Sequence, residues 1–293
     1  MGYKMTVNGK TRLCGLIGNP VSHTMSPMIH NHLADRLHIN NIYVPFHVET
    51  EELQQAIEGA HALNVLGMNV TVPYKTDVIP FLDEIDPMAK GIGAVNTLVR
   101  TEQGYKGYNT DMTGLCRAMQ TEGIRLDGEE IIILGAGGAS RSVAYMCLYY
   151  KVSKIYLLNR TVEKAQKIAD ELNEVFERDA IIPMSLMDFD RIPVKKYLVI
   201  QGTSIGLYPD SEACVIEDPC FYQLAHTGYD LIYRPFQTRF MEKIEEAGGV
   251  SYNGLGMLLF QAIDAFELWN HIEISDEVAM ETYELLKAET KKA

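Results

Sequence analysis

The chain has 293 residues, 47% of them hydrophobic and 22% charged, enough for about two domains with full apolar cores and no support from metals or disulfides. A formal net charge of −13 repels nucleic acid and anionic membranes, so neither is an expected partner, while an anionic small substrate stays open because a pocket field depends on the few groups lining it. Cys14, Cys116, Cys147, Cys214 and Cys220 are scattered and form no C-x-x-C pair, which points to buried thiols in a reducing compartment instead of a disulfide framework or a zinc site.

Residues 1–15 lack the apolar core of a signal peptide, and no run approaches the ~18 apolar residues of a membrane span, so a cytoplasmic protein is expected. Residues 13–17 read as a strand. Ser26 and Pro27 then look like the cap and first position of a helix running to about His38. A strand over 42–48, a helix over 51–63 with Leu53, Ala56, Ile57 and Ala60 on one face, and strands over 65–70 and 95–100 follow. This alternation predicts a mostly parallel sheet. Residues 104–111, rich in Gly, Tyr and Asn, read as a segment crossing out of this domain. Next come a helix over 113–122, a strand over 130–134, a glycine turn, a helix over 140–150 and a strand over 154–159. A helix over 161–176 and strands near 181–184, 198–201 and 228–232 continue the pattern. Two helices, 254–270 and 275–288, close the chain and are expected to fold back on the first domain. The fold class is therefore α/β with two domains. A parallel-rich substrate domain spans 1–110, completed by 254–293, and a Rossmann-like, doubly wound dinucleotide-binding domain spans 111–253.

The run IIILGAGGASR leaves an apolar strand and enters a helix through glycines. Gly135 permits the tight turn, Gly137 lets backbone N–H groups approach a pyrophosphate, and the new helix aims its positive end at it. Ala136, Gly138 and Ala139 belong to the same turn, while Ser140 stands where the fingerprint has its third glycine. The next strand ends in Asn159, Arg160 and Thr161, with Lys164 one helical turn on, where an NAD site usually carries an acidic residue. Arg160 offers a planar fork to a 2′-phosphate, Thr161 a hydroxyl and Lys164 a second positive charge, so NADP is expected, with NAD as the alternative. Solvated cations are the plainer reading, but the helix dipole disfavours them at a helix start, and only Glu163 argues against the phosphate.

Four polar islands, GNPVSHTMSPMIHN, GMNVTVPYK, GAVNTL and GYNTD, follow elements of the first domain, where open α/β sheets bind ligands. They bring together hydroxyls at Thr24, Ser26 and Thr71, an amide at Asn96, and an ammonium and a carboxylate at Lys75 and Asp111. Hydride transfer to a ketone builds charge on oxygen and needs a proton donor, which takes the proton back in reverse. A lysine serves both directions where desolvation lowers its pKa, and a nearby carboxylate opposes that shift while holding the ammonium. The two titrate as a unit, so the moving proton belongs to the pair.

These islands, with the GAGGA turn and the NRT, DLIYRP and GLGMLLFQA segments, resemble the shikimate dehydrogenase family, including its quinate/shikimate branch, along nearly the whole chain. The resemblance implies an NADP-dependent oxidoreductase that reversibly reduces 3-dehydroshikimate to shikimate in aromatic biosynthesis. It implies catalytic roles for Lys75 and Asp111 and carboxylate binding by Thr24 and Ser26. Ring hydroxyls would be held by Thr71, Asn96 and Gln261, with Leu231, Tyr233 and Gly254 beside the nicotinamide. Thr24 replaces the commoner serine and narrows the pocket, Met112 replaces a glycine, and Gln201 replaces an asparagine.

Two rivals remain: a quinate/shikimate dehydrogenase with relaxed substrate and cofactor use, and a non-catalytic nucleotide-sensing protein that kept the fold. A folate-carbon enzyme suits the hydroxyl-rich Thr24 and Ser26 less well. Alone, Lys75 is a surface lysine, Ser26 an N-cap and Tyr233 a strand-end aromatic, whereas Gln261 on an apolar helix needs partners. The histidines show no metal-ligand spacing, no metal is expected, and the assembly is a monomer or a homodimer.

Overall fold

Residues 7–291 are described in the computed structural model of the chain. The first six residues of the stretch read for a leader, and residues 292–293 at the chain end, lie outside the described residues.

The elements run β1 (Arg12–Gly18), α1 (Ser26–Arg36), β2 (Asn41–His47), α2 (Leu53–Ala62), β3 (Gly67–Val70), β4 (Glu84–Ile85), α3 (Pro87–Ile92), β5 (Thr97–Arg100), β6 (Tyr105–Tyr108) and α4 (Thr110–Thr121). They continue with β7 (Glu130–Leu134), α5 (Gly138–Tyr149), β8 (Lys154–Asn159), α6 (Val162–Val175), β9 (Ile181–Ser185), β10 (Tyr197–Gln201) and α7 (Pro219–Tyr222). The last are β11 (Ala225–Asp230), α8 (Arg239–Glu246), β12 (Val250–Tyr252), α9 (Leu255–Asn270) and α10 (Asp276–Thr290).

Two compact units result, one of Met1–Arg117 with Leu258–Ala288, the other of Ala118–Met257 with Glu289–Ala293. They divide at 117/118 and 257/258, a few residues beyond the expected 110/111 and 253/254 and within helices α4 and α9. Asp111 therefore belongs to the first unit.

The first unit holds a six-stranded sheet in the order β2-β1-β3-β5-β6-β4. β1 runs parallel to β2 and β3 and β6 parallel to β4, but β5 is antiparallel to both β3 and β6, so the sheet is mixed. The expected crossing segment 104–111 is the correction here. Its centre is strand β6, and Gly107 is a packing glycine, since a Cβ there would stand 2.6 Å from Leu82 Cδ1. Glycine composition misled the reading because close strand packing and turns both select it. α3 was also missed, although Asp86 caps it by accepting from Met88 N–H at 2.9 Å, with Pro87 next and Gly93 in the left-handed region at its end. Trp269 of α9 lies on the sheet and donates to the Leu98 carbonyl at 2.9 Å; a Cβ on Gly67 would meet the indole at 2.0 Å. Glu281 of α10 takes the Arg36 guanidinium of α1 at 2.7 Å.

The second unit holds a six-stranded sheet in the order β12-β11-β10-β7-β8-β9, parallel throughout. Counted from β7, this is the doubly wound order 3-2-1-4-5-6, whose topological switch lies between β7 and β10. Ile131, Ile132, Ile133 and Leu134 of β7 are fully buried, as a strand covered on both faces demands. No helix among the described residues is long and apolar enough to cross a membrane.

Candidate active site

In the first unit the groups flagged by sequence are joined by backbone hydrogen bonds at the carboxyl ends of β1 and β3. Thr71 N–H donates to the Ile17 carbonyl at 3.0 Å and Asn19 N–H to the Val72 carbonyl at 3.1 Å, tying the loop after β1 to the loop after β3. Val70 N–H donates to the Asn96 carbonyl at 2.8 Å, and Val95 N–H to the Lys75 carbonyl at 2.8 Å. The Lys75 ammonium donates to Asp111 Oδ2 at 2.6 Å, with both side chains partly exposed, at 34% and 19%. Asp111 sits in the first turn of α4, where the helix dipole favours a carboxylate. Asn109 caps that turn by accepting from Met112 N–H at 3.2 Å. Met112 itself is buried in regular helix, so its replacement of glycine leaves the backbone ordinary.

Asn96 is 2% exposed, and its Oδ1 accepts Thr110 N–H at 2.7 Å, the Thr97 hydroxyl at 3.1 Å and the Thr110 hydroxyl at 3.2 Å. With the oxygen committed inward, Nδ2 is the end of the amide that donates outward. Asn69 extends this network, taking the Tyr43 hydroxyl at 2.8 Å and donating to Thr97 Oγ1 at 3.0 Å. Sequence reasoning missed Asn69, Thr97 and Thr110. Asn69 and Thr110 stand in the quoted islands as plain polar residues, and their burial is what marks them.

Ser26 corrects a sequence expectation, because it is the first helical residue, not the cap. Met25 occupies the cap position and makes no side-chain bond there. The Ser26 hydroxyl instead accepts from Thr24 Oγ1 at 3.1 Å, so the two hydroxyls form one polar point at the start of α1. Gln261 is 8% exposed, and its Nε2 donates to the Leu258 carbonyl at 2.9 Å. α4 and α9 touch at this level, where a Cβ on Gly114 would stand 2.3 Å from Gln261 N.

In the second unit Gly135, Ala136, Gly137, Asn159, Arg160, Thr161 and Lys164 line one pocket of about 290 Å³ at the carboxyl ends of β7, β8 and β10. Gly135 has φ +105°, which only glycine adopts without strain. Open space stands over Gly137 and Gly138, and Gly138 and Ala139 begin α5, a helix start without a side-chain cap, whose first N–H groups suit an anion. Among the described residues neither Arg160 nor Lys164 has an ion-pair partner, although both stand at the start of α6 where the dipole disfavours cations. Two uncommitted cations beside a glycine turn fit a dinucleotide carrying an extra phosphate. Gly202, Thr203 and Ser204 complete the pocket; they belong to the Q-G-T-S-I-G loop that the family resemblance sets near the nicotinamide, but none was singled out as a site residue. Their signal is position: they follow β10, across the switch from β7. Leu231 and Gly254 meet closely, a Cβ on Gly254 lying 2.2 Å from the Leu231 carbonyl oxygen, while Tyr233 is half-buried; these three lie outside the pocket lining.

A family model described as "Shikimate dehydrogenase substrate binding domain" matches residues 16–98, and one described as "Shikimate / quinate 5-dehydrogenase" matches residues 117–192. The chain is 44% identical to the shikimate dehydrogenase (NADP(+)) of Desulforamulus reducens, covering 90% of this chain and 91% of that relative. Among solved structures it resembles shikimate 5-dehydrogenase from Listeria monocytogenes in complex with shikimate and NAD, with TM-score 0.87, 31% identity, and 96% and 98% of the two chains covered. A shikimate dehydrogenase in complex with NADP+ gives TM-score 0.85 at 36% identity, with 97% of each chain covered.

Proposed function

Because the chain belongs to the shikimate dehydrogenase family, we propose that Lys75 and Asp111 carry the proton transfer of that family's NADP-dependent oxidoreduction at a CH–OH group. The single observation that carries this reading is the 2.6 Å contact between the Lys75 ammonium and Asp111 Oδ2. When bound, NADPH supplies the hydride. The Lys75 ammonium gives its proton to the carbonyl oxygen that becomes the hydroxyl of shikimate, and in oxidation its amine takes that proton back. Asp111 orients the ammonium and accepts from a substrate hydroxyl.

Thr24 and Ser26 bind the substrate carboxylate, supported by their shared hydroxyl contact at the start of a helix. Thr71, Asn96 and Gln261 hold ring hydroxyls, with Asn96 acting as donor through Nδ2. In the second unit Gly135, Ala136, Gly137, Gly138 and Ala139 cradle the pyrophosphate, Asn159 and Thr161 line the adenosine end, and Arg160 and Lys164 take the 2′-phosphate. Leu231, Tyr233 and Gly254 border the nicotinamide. The protein works in the cytoplasm on a small molecule, as a monomer or homodimer, without nucleic acid or membrane as partner; the acidic net charge supports this.

Initial rates on shikimate and on quinate, each with NADP and with NAD, test the reading. Turnover of shikimate with NADP is expected to dominate, and turnover confined to quinate with NAD would overturn it.

A further inference from the structure

Gln201 is fully buried at the carboxyl end of β10, and both ends of its amide are engaged. Its Oε1 accepts the Thr203 backbone N–H, and its Nε2 donates to the Ile205 carbonyl at 3.1 Å. The same Nε2 donates at 3.3 Å to Asp230 Oδ1 on the neighbouring strand β11. Asp230 is equally buried and has no ion-pair partner among the described residues. It accepts the Thr238 hydroxyl at 2.6 Å and the Ile232 N–H at 2.9 Å. Burial pushes its carboxyl up to about 6, against the pull of those three donors. A lone buried carboxyl is costly to keep, so its geometry calls for a reason.

That reason is the loop it holds. Gly202, Thr203 and Ser204 form one wall of the dinucleotide pocket, opposite the glycine turn. The walls meet without slack. Gly202 N–H donates to the Leu134 carbonyl at 3.0 Å, and the Ser140 hydroxyl donates to the Gly202 carbonyl at 3.2 Å. A Cβ on Gly135 would stand 2.6 Å from Thr203 Cγ2, and one on Gly202 would stand 2.6 Å from Ser140 Oγ. A small displacement of the loop therefore changes the pocket directly, since close-packed walls have no room to absorb it.

We infer that Gln201 and Asp230 are a positioning pair for the dinucleotide, fixing the 202–204 loop against the glycine turn and acting on the cofactor only through that loop. The inference rests on the reading of the second unit as the NADP-binding unit. Gln201 reaches from the loop to the next strand, so one side chain couples the pocket wall to the buried carboxyl. Thr238 anchors the far side of Asp230 while capping α8, where its hydroxyl accepts from Met241 N–H at 3.4 Å.

The test uses two variants of the full chain. Gln201→Leu keeps the bulk and removes donor and acceptor, and Asp230→Leu removes both acceptor oxygens, including the Oδ1 that takes the Gln201 amide. Each is titrated with NADPH alone, followed by nicotinamide fluorescence, and the KM for shikimate is measured separately. The Kd for NADPH is expected to rise about tenfold in both, with far-UV circular dichroism unchanged and the shikimate KM within about twofold of wild type. An NADPH Kd unchanged in either folded variant would overturn the pairing, as would equal rises in NADPH Kd and shikimate KM, which mark general loosening. If Gln201→Leu does not fold, Asp230→Leu decides alone. Wild-type protein that binds no NADPH would instead defeat the underlying reading of the unit.

Discussion

The Asn96 side-chain oxygen accepts the Thr110 backbone N–H at 2.7 Å, one residue before Asp111, so the amide and the carboxylate are set by the same helix start. Replacing Asn96 by alanine leaves the buried Thr110 N–H without its acceptor, a loss of about 1–3 kcal/mol. Asn96→Asp keeps an acceptor for Thr110 but turns an anion outward in place of a donor. Thermal unfolding should therefore report mainly on the alanine variant. The shikimate KM should rise about 10–100-fold in the aspartate variant, with the NADPH Kd unchanged. A normal shikimate KM in Asn96→Asp would remove Asn96 from the substrate.

Arg160 and Lys164 make a prediction about cofactor choice. Arg160→Gln removes the planar fork without adding charge, so NADPH should bind about 10–100-fold more weakly while NADH binding barely moves. Equilibrium titration with each cofactor measures the ratio. Equal weakening for both would place Arg160 elsewhere on the dinucleotide.

His30 is fully buried, stacked on Tyr43 at 4.2 Å between ring centroids and tilted against Trp269 at 5.1 Å. Burial lowers its pKa to about 3, opposed in part by the Asn69 amide. Below pH 6.5 the unfolded chain binds a proton there that the folded chain refuses, so stability is complete above 6.5 and falls as pH drops towards 3. By pH 4.5 the loss from this group is on the order of 2–3 kcal/mol. Asp230 acts with the opposite sign: its raised pKa makes ionisation unfavourable to folding, so stability declines as pH rises from 3.8 to about 6. Urea unfolding at pH 7 and 4.5 should show a smaller acid loss in His30→Gln than in wild type. An identical acid loss would contradict the buried neutral imidazole.

Gly114→Ala tests the crossing of α4 and α9. The added carbon would meet backbone atoms, Gln261 N at 2.3 Å and Gln261 Cα at 2.7 Å, which cannot swing aside as a side chain can. Separation of the helices should lower stability by about 1–3 kcal/mol and raise the shikimate KM, because Asp111 and Gln261 ride on the two helices. The NADPH Kd reports whether the second unit is spared, as expected.

Sequence made the second unit legible because its strands are apolar runs covered on both faces, as in 131–134, and its glycine turn sits between strand and helix. In the first unit β1 and β3 were readable for the same reason. β6 was not, because Tyr105 and Gly107 are selected by packing, one fully buried and one pressed on Leu82, and both also suit a loop. Among candidate site residues, those in ordered motifs could be proposed from sequence: Lys75, Asp111, Asn96 and the 135–137 turn. The individual residues of the 202–204 wall and the Asn69, Thr97 and Thr110 network were not singled out, because small and hydroxyl residues acquire meaning only when a sheet brings distant segments together. Ser26 shows the reverse case, a residue whose expected cap role falls instead to Met25.

The most direct measurement is single-turnover oxidation of shikimate by Lys75→Met, which keeps the stem and removes the proton. The rate should fall about 10²–10⁴-fold with the NADPH Kd unchanged. A wild-type rate in a folded variant would contradict the role of the Lys75 and Asp111 pair.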